Sequence, residues 1–535
     1  MMFDYIIVGG GTAGCVLANR LSADPGCEVL LLEAGGHPKG LWPRMPAGTA
    51  KMFNRGPYNW GFETEPEKEL HNRRIYAPRG KGLGGSSLIN GMVFGRGQAQ
   101  DYDDWAQFGV RGWSWSDVLP HFKAIESRAA GDACWRGLGG ELSIVDPGYV
   151  HPASADFVAA CTQAGIAPNP DFNGAQGNAG AGMLQFNIRA GQRHSASHAF
   201  LQPVKSRRNL HVLDHCQATR LLLDGLQAVG VAYRRAGVEL QAQARREVIV
   251  AAGAFGSPTL LMHSGIGHAA LLADKGLAPV HHLPGVGENL QDHFYTHSIF
   301  DCTPDSSLNR DFSGWRRLLH GIQYLLTHSG ALTMGASQAA AFVTALPGST
   351  RPDTQINFKP VTWSRNSDGS VAIVKTPQFC AAACFLRPVS RGQVAIGSGD
   401  PLSAPVIRAN YLSAPQDQQA VLNAFRIARE IFAQPALRQR VIAEHLPGAA
   451  LQDDAALLDH VRRHGASMHH WAGSCRMGND ANAVVDERLR VHGMARLRVV
   501  DASVFPLIPS TNTNAPTFML ADRAAQLIHE DASRG

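Results

Sequence analysis

Apolar positions along the chain fall into two kinds of run. Near the N-terminus, "DYIIV" (Asp4–Val8) and "EVLLLE" (ending at Glu33) are short and continuous, as expected of strands buried on both faces. A glycine turn and a helix-like stretch through Ser22 separate them, which predicts a β-α-β unit. From Ala218 to Val250 the pattern changes to alternation. It is broken at Asp224-Gly225 and Ala236-Gly237, and this predicts an antiparallel meander. "PDTQINFKPV" and "QFCAAACFLRPVSRGQVAI" read as further strands of an antiparallel sheet, whereas "QAVLNAFRIAREIFAQPAL" has helical periodicity that stops before Pro435. No internal repeat is visible, and no apolar run approaches the ~18 residues of a spanning helix.

The chain's 535 residues are enough for two or more cores, and 44% hydrophobic with 17% charged residues is an ordinary globular balance. A net charge of +5 over this length does not point to nucleic acid. The nine cysteines, with only Cys380 and Cys384 close together, read as reduced and buried thiols. "MMFDYIIVGGG" runs directly into a strand and turn, leaving no room for a signal peptide. The expected location is cytoplasmic, with peripheral association at the inner membrane left open.

Gly9, Gly11 and Gly14 form G-x-G-x-x-G between the first strand and helix, and Glu33 lies 19 residues beyond Gly14. Glycines there give a tight turn, close approach of the backbone to a pyrophosphate, and close helix–strand packing. The helix N-terminus offers its positive end to the phosphates, and the acid is spaced to reach a ribose hydroxyl. The motif predicts a dinucleotide and does not by itself choose between FAD and NAD. A second glycine cluster, "GKGLGGSSLINGMVFGRGQAQDYD" (Gly80–Asp103), would let a loop run beneath a flat ligand, with Asn90 able to bond its edge. "GAFGSPTLLMHSGIG" (Gly253–Gly267) and "PGVGENLQDH" (Pro284–His293) follow.

With these motifs the chain resembles the glucose–methanol–choline (GMC) oxidoreductases, especially their choline and alcohol dehydrogenase branch. The resemblance runs from Tyr5 to near Ile528. It implies an α/β Rossmann-like FAD-binding domain and a substrate domain built on an antiparallel sheet flanked by helices. The implied parts are 1–155, 191–300 and 465–535 for FAD, and 156–190 and 301–464 for substrate. FAD-contacting positions carried over are Gly9, Gly11, Thr12, Ala13, Gly14, Glu33 and Ala34, then Leu83, Gly84, Ser87, Asn90, Gly91 and Val93. Ala218, Asp501, Ala502, Thr513 and Asn514 complete the set. Ile89 stands where some relatives carry a histidine joined to the flavin, so FAD is expected to be non-covalent.

The resemblance also places the catalytic base within "SMHHWAGSCRMG" at His470, with Asn512 of "NTNAPT" as its partner. A neutral imidazole suits removal of a hydroxyl proton near neutral pH, and an amide can hold the developing alkoxide. The helix beginning near Pro516 would turn its positive N-terminus toward the flavin. His469 and Trp471 replace the family's usual aromatic and proline, and the lost proline removes a source of loop rigidity. Adjacent histidines rarely address one ion, so no metal is expected. Choline-handling relatives often carry a glutamate where Gln338 aligns. With Trp60 retained and that charge missing, a neutral primary alcohol is the expected substrate, oxidised to an aldehyde with a quinone-type acceptor or oxygen. Choline dehydrogenase, an aryl- or furfuryl-alcohol oxidase and a non-redox FAD lyase are the alternatives. Oligomeric state is left open.

Overall fold

The computed structural model describes residues 2–365 and 371–534. Strand β1 (Met2–Val8) pairs in parallel with β2 (Val29–Leu32), and helix α1 (Thr12–Leu21) crosses between them. The seven-stranded sheet continues in parallel to 210–213 on one side and to 238–250 on the other. From there 216–224, 227–235 and 238–250 form an antiparallel meander, while 497–499 returns from the C-terminal end to pair with 238–250. Ile6, Ile7, Leu30, Leu31, Val248 and Ile249 are fully or almost fully buried in one core, which explains why these runs lack alternation.

Helix α2 (Gly253–His263) follows the meander. The second seven-stranded sheet is antiparallel. Its centre is β3 (Phe294–Cys302), β4 (Thr354–Lys359) and β5 (Gln378–Phe385). Strands 441–446 and 466–467 pair with β3, and 339–343 and 180–183 extend the other edge. β3 begins at Phe294, so the boundary read at residue 300 cuts through a strand of the second sheet. The short strand 466–467 likewise belongs to that sheet, although it falls inside the C-terminal return.

One face of this sheet, with Ile356, Phe358, Phe379 and Ala381, packs against Phe157 of the helix at 152–163 and Phe432 of the helix at 415–433. Helix α3 (Gly314–Thr327) lies outside this core, and α4 (Asn514–Arg534) packs against α1 in the first. The nine cysteines are free thiols, and eight of them are buried.

Candidate active site

A cavity of about 1970 Å³ runs between the glycine turns and the second sheet. Gly9 has φ +108°, and a Cβ on Gly14 would meet the Gly9 carbonyl oxygen at 1.9 Å, so both must be glycine for α1 to sit on β1. A Cβ on Gly85 would meet Gly11 Cα at 2.6 Å, so the two glycine clusters touch. No side chain caps α1 at Gly11, which leaves its N-terminal amides facing the cavity. Thr12 Oγ1 donates to Asn514 Oδ1 at 2.8 Å and ties the N-termini of α1 and α4 together.

Glu33 accepts from the amides of Gly35 and Gly82 on Oε1 and of Gly10 on Oε2. Burial pushes its carboxyl up against those bonds, and Oε2 has room for one more donor. Gly9, Gly11, Thr12, Ala13, Glu33 and Ala34 line the cavity, as do Asn90, Gly91, Val93 and Ala218. Asp501, Ala502, Thr513 and Asn514 close it from the C-terminal segment. Asp501 Oδ2 accepts from Gly253 N–H and Ser257, while Oδ1 accepts from Ser503 N–H, which fastens α2 to that segment.

Five expected positions are not on the wall. Gly14 packs on Gly9 and Leu83 enters the core. Gly84 N–H donates to Gly10 O, and Ser87 Oγ donates to Gly84 O while accepting from Ala196 N–H. These residues set the shape of the glycine loop. Gln338 is fully buried elsewhere: its Oε1 accepts from His151 N–H and Ser154 Oγ, and its Nε2 donates to Tyr149 O. It is a structural residue, so the comparison with a choline-binding glutamate fails.

The two adjacent histidines diverge. His470 Nε2 lies 2.8 Å from Asn512 Nδ2, and its Nδ1 lies 2.8 Å from His293 Nδ1. His293 Nε2 is 3.0 Å from the carbonyl oxygen of Leu386, which can only accept. His293 therefore carries its proton on Nε2 and accepts on Nδ1, so His470 carries its own on Nδ1. That leaves the Nε2 lone pair of His470 facing the Asn512 amide. Burial, then His293, His469 and Arg79, hold His470 well below the usual imidazole range, and burial brings His293 down to about 4.

His469 instead has φ +65° and sets its ring 5.2 Å from that of Phe53. Its carbonyl accepts from Arg79 at 2.5 Å, and its N–H donates to Ser467 Oγ. Asp292 accepts from His470 N–H at 2.7 Å, from Tyr411 OH at 2.5 Å, and from Ser467 Oγ. These bonds fix the loop that lacks a proline. Trp471 is 1% exposed against Phe255 and Tyr411, and its Nε1 has no partner among the described residues. Trp60 lines the cavity, stacked on Phe62 with Lys81 Nζ 4.3 Å from its ring centre. Asp292, His293, Arg79, Ser467 and Tyr411 are the site residues that sequence reasoning missed. Asp292 and His293 end "NLQDH" and Ser467 opens "SMHHWAGSCRMG", motifs that give these three residues no role, while Arg79 and Tyr411 carry no signal of their own.

The sequence models of the GMC oxidoreductase family match residues 3–295 and 388–521. The chain belongs to the GMC oxidoreductase family. It is 40% identical over 531 residues to an alcohol dehydrogenase (acceptor) of Pseudomonas putida, covering 98% of this chain and 96% of the other. An oxygen-dependent choline dehydrogenase of Paraburkholderia phytofirmans is 42% identical over 533 residues, covering 98% and 94%. Among solved structures, a pyridoxine 4-oxidase of "Mesorbium loti" superposes with TM-score 0.88 at 29% identity, covering 99% of each chain. An FAD-dependent oxidoreductase of Chaetomium thermophilum gives 0.89 at 28%, covering 99% of this chain and 100% of the other.

GMC oxidoreductases bind FAD, and the residues here fit it. The uncapped N-terminus of α1 suits a pyrophosphate, the remaining acceptor site on Glu33 suits a ribose hydroxyl, and the N-terminus of α4 opens on the same cavity. Ile89, on the cavity wall, offers no nucleophile for a covalent flavin bond. Among the described residues, no helix of this GMC oxidoreductase is long and apolar enough to cross a membrane.

Proposed function

We propose that this GMC oxidoreductase oxidises a primary alcohol to an aldehyde, with His470 as general base and Asn512 as its partner. The observation that carries the reading is the contact chain of a buried His470, whose Nδ1 meets His293 Nδ1 and whose Nε2 faces Asn512 on the cavity wall, an order that leaves Nε2 without a proton. FAD, when bound, supplies the acceptor for the hydride leaving the alcohol carbon. A substrate hydroxyl entering beside Nε2 donates its proton there while the Asn512 amide turns to the oxygen. The C–H bond breaks with its electron pair, the O–H bond breaks to His470, and a carbonyl remains. Anaerobic mixing of the yellow holoenzyme with alcohols of graded chain length tests this. Bleaching by at least one class is expected, and no bleaching by any alcohol would refute it.

Choline oxidation is the second reading, supported by the 42% identity to the choline dehydrogenase. Betaine aldehyde formed from choline would establish it.

The acceptor we propose is a quinone in a lipid surface on which the enzyme docks. Trp315, Leu318, Leu319, Ile322, Leu325 and Leu326 form one apolar stripe on α3, and it faces outward, with Trp315 70% and Leu326 79% exposed. Exposed Leu41 and Trp42 join it at the cavity rim. Arg44 O accepts from Arg193 N–H, and nearby Gly191 O accepts from Tyr324 of α3, so the two patches are neighbours. Residues 35–62 and 312–352 contain no acid, and Lys39, Arg44, Lys51 and Arg317 are exposed, while Arg316 pairs with Asp311 at 3.2 Å. Apolar stripe and basic surroundings together match an anionic bilayer. Co-sedimentation with phosphatidylglycerol vesicles is expected, and its loss in Leu318→Glu/Leu326→Glu. A soluble dimer without vesicle binding would assign the stripe to a second copy instead.

A further inference from the structure

The second sheet presents to the cavity a face whose chemistry the alcohol reaction does not use. Along β4, Ile356 and Phe358 enter the helix-covered core, while Gln355, Asn357 and Lys359 point the other way. Asn357 and Lys359 line the same cavity as His470 and Asn512, yet they are only 3% and 6% exposed. Among the described residues, the Lys359 ammonium has neither a carboxylate partner nor a hydrogen-bond acceptor. Its neighbours are two rings, Trp363 with the centroid 4.8 Å from Nζ and Tyr295 at 5.6 Å. Tyr295 packs into the same cluster as Met468, two residues before the base, which sets Lys359 on the catalytic side. Asn357 Oδ1 accepts from Gln355, and its Nδ2 has no partner among the described residues.

An ammonium that opens only onto the cavity, with no anion beside it, is costly, as is an enclosed amide N–H without an acceptor. Two such donors beside each other on one cavity wall are complementary to the two oxygens of a carboxylate. We infer that Lys359 and Asn357 bind a carboxylate on the substrate, so that the alcohol oxidised is a hydroxy acid. The inference rests on alcohol oxidation at His470 and replaces the expectation of a neutral substrate, whose basis was lost when Gln338 proved to lie outside the cavity. It also disfavours choline. A quaternary ammonium would meet a like charge, and the rings of Trp363 and Tyr295 that could hold it already face Lys359. Burial pushes the Lys359 ammonium down from its ordinary range, and an entering carboxylate opposes that shift.

The test uses holoenzyme and separates binding from turnover. Hexanoate, which has no hydroxyl to oxidise, should bind by titration calorimetry and compete with alcohol substrates, whereas hexanamide should not. The preference for 6-hydroxyhexanoate over its methyl ester, as a ratio of kcat/KM, should fall at least tenfold in Lys359→Met, chiefly through KM. Lys359→Arg should keep most of it, with flavin content showing that each variant folds. Equal use of acid and ester by the wild type, or an unchanged ratio in Lys359→Met, would overturn the inference while leaving alcohol oxidation intact. Lysine-dependent hexanoate binding with no bleaching by any alcohol would uphold the carboxylate site and refute the oxidation reading.

Discussion

His293 and His470 meet through their Nδ1 atoms at 2.8 Å, with ring planes at 89°. One of the two nitrogens must carry the proton, and the Leu386 carbonyl behind His293 decides which. The pair therefore acts as a tautomer lock, in which a residue 177 positions away in the chain sets which nitrogen of His470 carries the proton.

Removing the lock should cost rate without removing the base. His293→Leu is expected to lower kcat by about 10–100-fold, the range for removing the outer-shell partner that orients a metal-bound histidine, which fixes a tautomer in the same way. His293→Asn, which can still accept from His470, should recover part of the loss. Stopped-flow flavin reduction measures both, and wild-type rates in His293→Leu would refute the lock.

The pH profile follows from the same burial. His470 is held below 6.5, so its Nε2 is already free at neutral pH and the flavin-reduction rate should be flat from pH 8 to 6.5. Activity should fall only at lower pH, as the base takes a proton. An acid limb centred at or above pH 7 would contradict this assignment.

Stability should weaken on the same side. The folded state keeps His293 neutral down to about pH 4 and His297 to about 3, whereas the unfolded chain protonates both near 6.5. Their contribution is thus complete above pH 6.5 and is lost as pH falls from 6.5 toward 4. Thermal unfolding of holoenzyme should show Tm falling over that interval, and a constant Tm would exclude it.

Asp292 should matter to the loop more than to the chemistry. Burial raises its carboxyl to about 6 even though it accepts from Ser467, Tyr411 and the His470 amide. Asp292→Ala strands these donors, and each buried donor left unmet costs about 1–3 kcal/mol. Differential scanning calorimetry should show a Tm lowered by several degrees. Asp292→Asn should lie between, since its amide oxygen can still accept.

The first sheet was legible because continuous apolar runs and glycines at fixed offsets are local properties. The strands of the second sheet were also visible, but alternation does not say which face of a strand meets a cavity. For that reason the pattern does not single out Lys359; Gln338, placed at the substrate by the resemblance, lies just before the strand at 339–343 and bonds His151, Ser154 and Tyr149 instead. The motifs single out His470 and Asn512, whose side chains meet at 2.8 Å. His293, Asp292 and Tyr411 are not singled out, because their roles arise from contacts across 119 to 178 positions of chain.

The most direct measurement is anaerobic stopped-flow reduction of wild type and His470→Ala, each carrying FAD, by the best alcohol substrate at pH 7.5. The wild-type flavin is expected to bleach, and the variant to keep its FAD but reduce it about 10²–10⁴-fold more slowly. Bleaching of His470→Ala at the wild-type rate would contradict it.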